Sequence, residues 1–172
     1  SPFEALVGAS GIAFLIGLVD DFLELNPISK LVGELLAASL LLMSGIGLWL
    51  TGIYLVDALL SLFWFVGITN AVNLMDNMDG LAGGVAAIAT GFLAAIFVLE
   101  GSWELAALAL ALAGALLGFL VHNYPPAKIF MGDSGAMLLG FTLASISLLG
   151  VMKSIAAIAL AVPLLIIGVP IF

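Results

Sequence analysis

Long apolar runs separated by short polar clusters make up the whole chain. The runs fall at residues 4–19, 31–50, 55–72, 80–99, 103–121, 135–150 and 154–172. Most are close to the length at which a helix crosses a bilayer, about 20 residues. The first and sixth are shorter. Strands that cross a membrane alternate apolar and polar positions over shorter segments, and these runs do not alternate. The pattern predicts an all-α polytopic membrane protein with about seven transmembrane helices. They would form a single transmembrane domain over residues 1–172, a slice of a larger bundle. Stretches such as "GASGIAFLIG", "GLAGG" and "ALAGALLG" supply the small residues that let helix backbones approach in lipid.

The polar clusters between the runs are "DDFLELNPISK", "LTGIYLVD", "NLMDNMDG", "EGSWE", "VHNYPPAKIFMGDSG" and "GVMKS". If each run crosses once, the first, third and fifth clusters share one face. Five of the six aspartates, Asp20, Asp21, Asp76, Asp79 and Asp133, lie in them, and only Asp57 is on the far side. Lys30 and Lys128 share the aspartate face while Lys153 is opposite, which by the positive-inside rule makes that face cytoplasmic.

Composition agrees and adds one oddity. The chain is 65% hydrophobic and 8% charged, with a mean hydropathy of +1.39, where soluble domains carry about 25% charged residues. Eleven acids face three lysines, no arginine and one histidine, for a net charge of −8. That balance points away from nucleic acid and anionic lipid and toward bound cations or a basic portion elsewhere. Without cysteine, disulfides and thiolate metal sites are excluded. Ser1 is no initiator and no cleavable leader precedes the first run, so an internal piece of a longer protein, cut at both ends, is expected.

Carboxylates at membrane depth are costly and point to function. Asp20 and Asp21 end a span, where the helix macrodipole disfavours anions by about 0.3–1 kcal/mol each. A metal ion, Lys30 or a partner segment should offset them. Asn73, Asp76 and Asp79 recur every third residue and, if helical, share an arc of about 120°. Oxygen donors without His or Cys suit a hard cation, Mg²⁺ or Mn²⁺. For Asp79 and Asp133, each near a helix start, N-capping is the alternative. In "YPPAKIFMGDSG", Pro125 and Pro126 end a helix, Gly132 permits a tight turn, and the next helix N-terminus can receive an anion. Phe130 can stack on a base or pack at the membrane interface. His122, alone near a helix end, reads as structural. Glu4, Glu24, Glu34, Glu100 and Glu104 read as solvated, and Asp57 as a helix-end residue.

Three segments, "GLVDDFLELNPISKL", "GITNAVNLMDNMDGLAGG" and "GFLVHNYPPAKIFMGDSGAMLLG", resemble the polyprenyl-phosphate N-acetylhexosamine-1-phosphate transferases, which are related to phospho-MurNAc-pentapeptide transferase. The resemblance runs from about residue 14 to residue 145. It implies Mg²⁺-dependent transfer of a sugar 1-phosphate, GlcNAc-1-phosphate in the first instance, from a UDP-amino sugar to a polyprenyl phosphate, with release of UMP. By motif position it implies Asp20 and Asp21 as the catalytic pair. Lys30, Asn73, Asp79, Asn123 and Phe130 would bind substrate, with Phe130 against the uracil. Asp133, Asp76 and Asn73 would hold the metal. It further implies a bacterial-type plasma membrane enzyme with its site on the cytoplasmic face, and leaves a homodimer open. Ala136, where the family often has serine, and "NM" between Asp76 and Asp79 depart mildly from its pattern. A basic, histidine- or arginine-bearing loop expected after Phe172 makes residues 1–172 alone expected to be inactive. Other classes that use acids in membranes are intramembrane Mg²⁺-dependent prenyltransferases and cation-coupled transporters. The first needs a second Asp motif that "MGDSG" does not supply. The second places its acids near the midplane.

Overall fold

The computed structural model describes residues 2–153, so the run at 154–172 lies outside the described residues. Six helices follow in order: α1 (Pro2–Leu23), α2 (Pro27–Met43), α3 (Tyr54–Met75), α4 (Leu81–Leu99), α5 (Trp103–Asn123) and α6 (Gly132–Lys153). Among the described residues no strand occurs. Five helices, all but α2, are long and apolar enough to cross a membrane. The expected all-helical membrane class is right, and a count of seven is not reached within the described residues.

The boundaries correct the hydropathy reading in three places. α1 and α6 are each 22 residues long, not short. Their polar ends, with Asp20 and Asp21 in α1 and Asp133 and Ser134 in α6, are helical but lower the local hydropathy. α2 begins at Pro27 rather than 31 and ends at Met43 rather than 50. Asn26 starts it: its side-chain oxygen accepts from Ser29 N–H at 2.8 Å, and Pro27 follows at the position where a missing N–H costs nothing. The apolar letters of "SGIGLWLTG" extended the predicted span, yet that stretch is a loop. Gly45 and Gly52 take positive φ, 83° and 74°, a region that bulky residues avoid.

This loop is closed by Asp57, an acid read from sequence only as a helix-end residue. The side chain is buried. Its carboxylate accepts from the backbone N–H groups of Leu50, Thr51 and Gly52 at 3.2, 2.9 and 3.2 Å, and from Thr51 Oγ1 at 2.8 Å. Ser61 continues the staple by accepting from Leu48 N–H at 2.7 Å. Asp57→Ala would leave these donors without their acceptor. We expect a melting temperature lower by several degrees in detergent micelles, with the opposite end of the bundle little affected. Nearby, Trp49 stacks on Tyr54 with ring centroids 5.9 Å apart, and Trp103 is exposed at the same end. Such rings suit the headgroup layer.

α6 is the most enclosed of the five long helices, packed against α1 and α3 and touching α4 and α5. Phe141 stacks on Phe65 of α3 at 5.4 Å. Two glycines set how close its neighbours come. A Cβ on Gly17 of α1 would stand 2.4 Å from the Asp133 carbonyl oxygen, and one on Gly140 would stand 2.7 Å from Thr69 Cα. The first of these approaches lies directly beside the acidic end of the bundle.

Candidate functional site

Lys30, in the first turn of α2, gathers residues from three other segments. Its Nζ donates to Asp20 Oδ2 at 2.7 Å, to Asp133 Oδ1 at 3.2 Å and to Asn73 Oδ1 at 3.3 Å. An ammonium has three protons to give, and three acceptors receive them. Asn73 in turn donates from Nδ2 to Asp133 Oδ1. Asp20 Oδ1 accepts from Leu25 N–H at 2.7 Å, just past the end of α1. Residues 20, 30, 73 and 133, distant in sequence, therefore meet within hydrogen-bond reach. The three aspartate-rich connections do converge at one end of the bundle, as the alternation of spans predicts.

Of the three ways proposed to offset the acids ending α1, the structure shows two. Lys30 neutralises Asp20, an ion pair of 2.7 Å that is largely shielded from solvent. Asp21 instead reaches the start of α6. Its Oδ1 accepts from Asp133 N–H at 2.8 Å and its Oδ2 from Ser134 N–H at 3.1 Å. The free N–H groups and the positive dipole end of α6 thus receive a carboxylate from another helix. Gly132, with φ of 68°, makes room: a Cβ there would stand 3.2 Å from both Asp21 oxygens. Asp133 therefore does not act as the N-cap; Asp21 caps its helix from outside, which leaves the Asp133 side chain turned toward Lys30 and Asn73.

Asp76 follows directly after α3. Burial, and then the negative charges of Asp133 and Asp21, push its carboxyl up to about 6, although the Gly132 N–H beside it pulls the other way. Burial is the larger cause, and the charges of Asp133 and Asp21 add a second that a nearby cation would relieve. Asp79 lies beyond the helix end, so the shared arc expected for Asn73, Asp76 and Asp79 is not kept. Its Oδ2 accepts from Ala127 N–H at 3.0 Å, which ties the α3–α4 turn to the α5–α6 loop. Nor does it cap α4, whose N-cap is Gly80 with no side-chain bond. Asn123 is buried and latches the same two loops. Its Oδ1 accepts from Gly80 N–H and its Nδ2 donates to the Ile129 carbonyl, each at 2.9 Å. Phe130 is 74% exposed at the loop surface, open to a planar partner. His122 is exposed, and its carbonyl accepts from Lys128 N–H at 2.8 Å.

Sequence reasoning missed Glu34. Read as solvated, it is 1% exposed, one turn along α2 from Lys30. Asn70 Nδ2 donates to its Oε2 at 2.6 Å. The spacing Lys30–Glu34 and the recurrence of Asn70 and Asn73 were the available signals.

Among the described residues no three acidic or histidine side chains form a ready-made metal cage. Mg²⁺ does not need one, since it commonly takes one or two carboxylates, with water and substrate phosphate filling the rest. The donor set fits that habit: Asp133 and Asp76 are carboxylates, Asn73 adds an amide oxygen, and the excess of negative charge beside Asp76 is what a cation relieves.

A bundle end that collects carboxylates, amides and one amine closes a set of helices five of which are long and apolar enough to cross a membrane, which defines the class as a helical membrane protein. The chain matches the family model described as glycosyl transferase family 4 over residues 3–151, and it belongs to that family. It is 34% identical over 177 aligned residues to a probable undecaprenyl-phosphate N-acetylglucosaminyl 1-phosphate transferase of Bacillus subtilis, covering 98% of this chain and 49% of that protein. It is 47% identical over 105 residues to the phospho-N-acetylmuramoyl-pentapeptide-transferase of Lactiplantibacillus plantarum, covering 61% and 32% of the two chains. With the Streptococcus pneumoniae protein of the same name, identity is 39% over 153 residues, covering 78% and 46%. The chain thus spans half or less of the length of these relatives.

Proposed function

We propose that the full-length protein transfers a sugar 1-phosphate from a UDP-sugar to a polyprenyl phosphate in the membrane and releases UMP. A lipid phosphate oxygen attacks the β-phosphorus. The bond from that phosphorus to the bridging oxygen breaks, and UMP leaves with the oxygen. The observation that carries this reading is Lys30 joined to Asp20, Asn73 and Asp133 at the membrane rim, in a chain of this family.

Phosphoryl transfer asks chiefly for positioning and for neutralised oxygens. A phosphate monoester has its second pKa at about 6, so removing its proton is a minor demand near neutral pH. Asp20 and Asp21 then work as orienting groups. Asp20 holds Lys30 in place, and a phosphate oxygen would reach the ammonium by replacing one of its longer acceptors, Asn73 at 3.3 Å or Asp133 at 3.2 Å. Asp21 holds the N-terminus of α6, and with it Asp133. Asp133, Asp76 and Asn73 would hold Mg²⁺ or Mn²⁺, which supplies positive charge to the diphosphate oxygens. Phe130 offers a face for the uracil. Asp79 and Asn123 keep the substrate-side loops together.

The match to the Bacillus subtilis protein along almost the whole chain favours GlcNAc-1-phosphate as the group transferred. The higher identity over a shorter region to the phospho-MurNAc-pentapeptide transferase supports the second reading, transfer of that group. We place the site at the cytoplasmic face, with Lys30 and Lys128 in support. The test is an exchange assay on the full-length enzyme with labelled UMP, UDP-GlcNAc and UDP-MurNAc-pentapeptide. Exchange with UDP-GlcNAc, lost on chelation and restored by Mg²⁺, is expected. Exchange with neither sugar nucleotide would reject the reading, and preference for the pentapeptide substrate would select the second.

A further inference from the structure

We propose that Glu34, held by Asn70, is a positioning residue for Lys30. This rests on the reading of Lys30 as a phosphate-binding group. Glu34 and Lys30 are four residues apart on α2, so their side chains rise from the same face one turn apart. Glu34 is 1% exposed and accepts from Asn70 Nδ2 at 2.6 Å. Asn70 also donates to the Val66 carbonyl of its own helix at 2.9 Å, so its amide is fixed to the α3 backbone. Asn73, one turn further along α3, contacts Lys30 and Asp133. Two rungs therefore join α2 to α3. The upper rung, Lys30–Asn73, belongs to the reactive end. The lower rung, Glu34–Asn70, lies deeper and touches none of the groups placed at the metal or the nucleotide.

A lysine side chain is long and flexible, and its reach is set by where its helix stands. The backbone of α2 packs against α1 and α3, and the lower rung ties α2 to α3 one turn beneath Lys30. Asn70 is exposed, so removing its side chain opens no internal hole. Glu34 keeps its other oxygen, Oε1, buried with no hydrogen-bond partner among the described residues. Simple burial of an apolar side chain at this place would cost less, which argues that the carboxyl is kept for the bond to Asn70.

The readout is the chemical reactivity of the Lys30 amine, followed by acylation and peptide mass spectrometry on the folded full-length enzyme in micelles, with Lys128 as internal reference. Glu34→Ala and Asn70→Ala should each raise Lys30 acylation at least threefold relative to Lys128. Combining them should add little, because both remove one bond. Glu34→Gln, whose amide oxygen still accepts from Asn70, should return Lys30 to its original reactivity. In the exchange assay Glu34→Ala should lower kcat more than it raises KM. If Glu34→Ala does not fold, Asn70→Ala alone decides. Unchanged Lys30 reactivity in the folded Asn70→Ala variant, or a Glu34→Gln variant as reactive as Glu34→Ala, would overturn the proposal. Lys30 reactivity does not depend on turnover, so a wild-type enzyme without exchange would reject the functional reading and leave this one to its own measurement.

Discussion

Asp133→Asn is expected to cut UMP exchange by on the order of 10³-fold while the protein stays folded. Removing one electrostatic stabiliser from a reacting centre costs about 10²–10³ in kcat, and Asp133 accepts from Lys30 and under the proposed function would also hold the cation. The substitution preserves shape. The new amide oxygen can still accept from Lys30, but the negative charge is gone. The start of α6 should survive, because Asp21 bonds to the backbone N–H groups of residues 133 and 134 and not to the Asp133 carboxylate. Exchange rate and melting temperature measured together separate the two effects. Near-normal exchange in the variant would remove Asp133 from the metal site and with it the proposed division of labour.

Gly17→Ala should damage both fold and activity. The three atoms nearest the added Cβ are all backbone, the Asp133 carbonyl oxygen and carbon and, at 2.6 Å, Ser134 Cα. Carbon contacts settle near 3.5–4.0 Å, roughly 1 Å further out, so α1 and α6 must part by about that much. Overpacking costs about 1–3 kcal/mol. Retreat of α1 also stretches the bonds from Asp21 to Asp133 N–H and Ser134 N–H, and hydrogen bonds to charged groups are worth about 1.5–3 kcal/mol each. A displacement of about 1 Å at a reacting centre can cost 10²-fold in rate. Gly11→Ala on the same helix is the control, since its Cβ meets nothing within 4 Å; it should be indistinguishable from wild type. Equal behaviour of the two variants would mean that the α1–α6 approach has no part in holding the site.

Much of this arrangement was legible in the letters. Hydropathy gave the helices because lipid demands long apolar segments, and alternation of spans put the aspartate-rich connections together. It failed at α2, where glycine backbone geometry, invisible to a hydropathy average, ended the helix at Met43. The pairing of Asp20 with Lys30 was one of three alternatives named for offsetting the acids at the end of α1. The capping of α6 by Asp21 was not foreseen, although the start of α6 was read as a place for an anion, because which carboxylate would find it depended on how close Gly17 lets two helices come. Asp79 and Asn123 were read as substrate ligands by motif position, and their hydrogen bonds tie loop to loop. Glu34 was misjudged because one acid near the end of an apolar run looks the same whether it faces water or a neighbouring helix.

Lys30 meets its partners in a fixed order as the polypeptide emerges from the ribosome. Asp20 is ten positions earlier, so opposite charges can cancel while only the first hairpin has entered the bilayer. Asn73 arrives next, and Asp133 comes last, 103 positions after the lysine. Until then the amine already has a counter-ion, while Asp21 still awaits the α6 backbone N–H groups that it caps. The cluster is thereby completed by the most enclosed of the long helices, so a chain interrupted before α6 would carry the Asp20–Lys30 pair but lack the Asp133 carboxylate that joins α6 to Lys30 and Asn73.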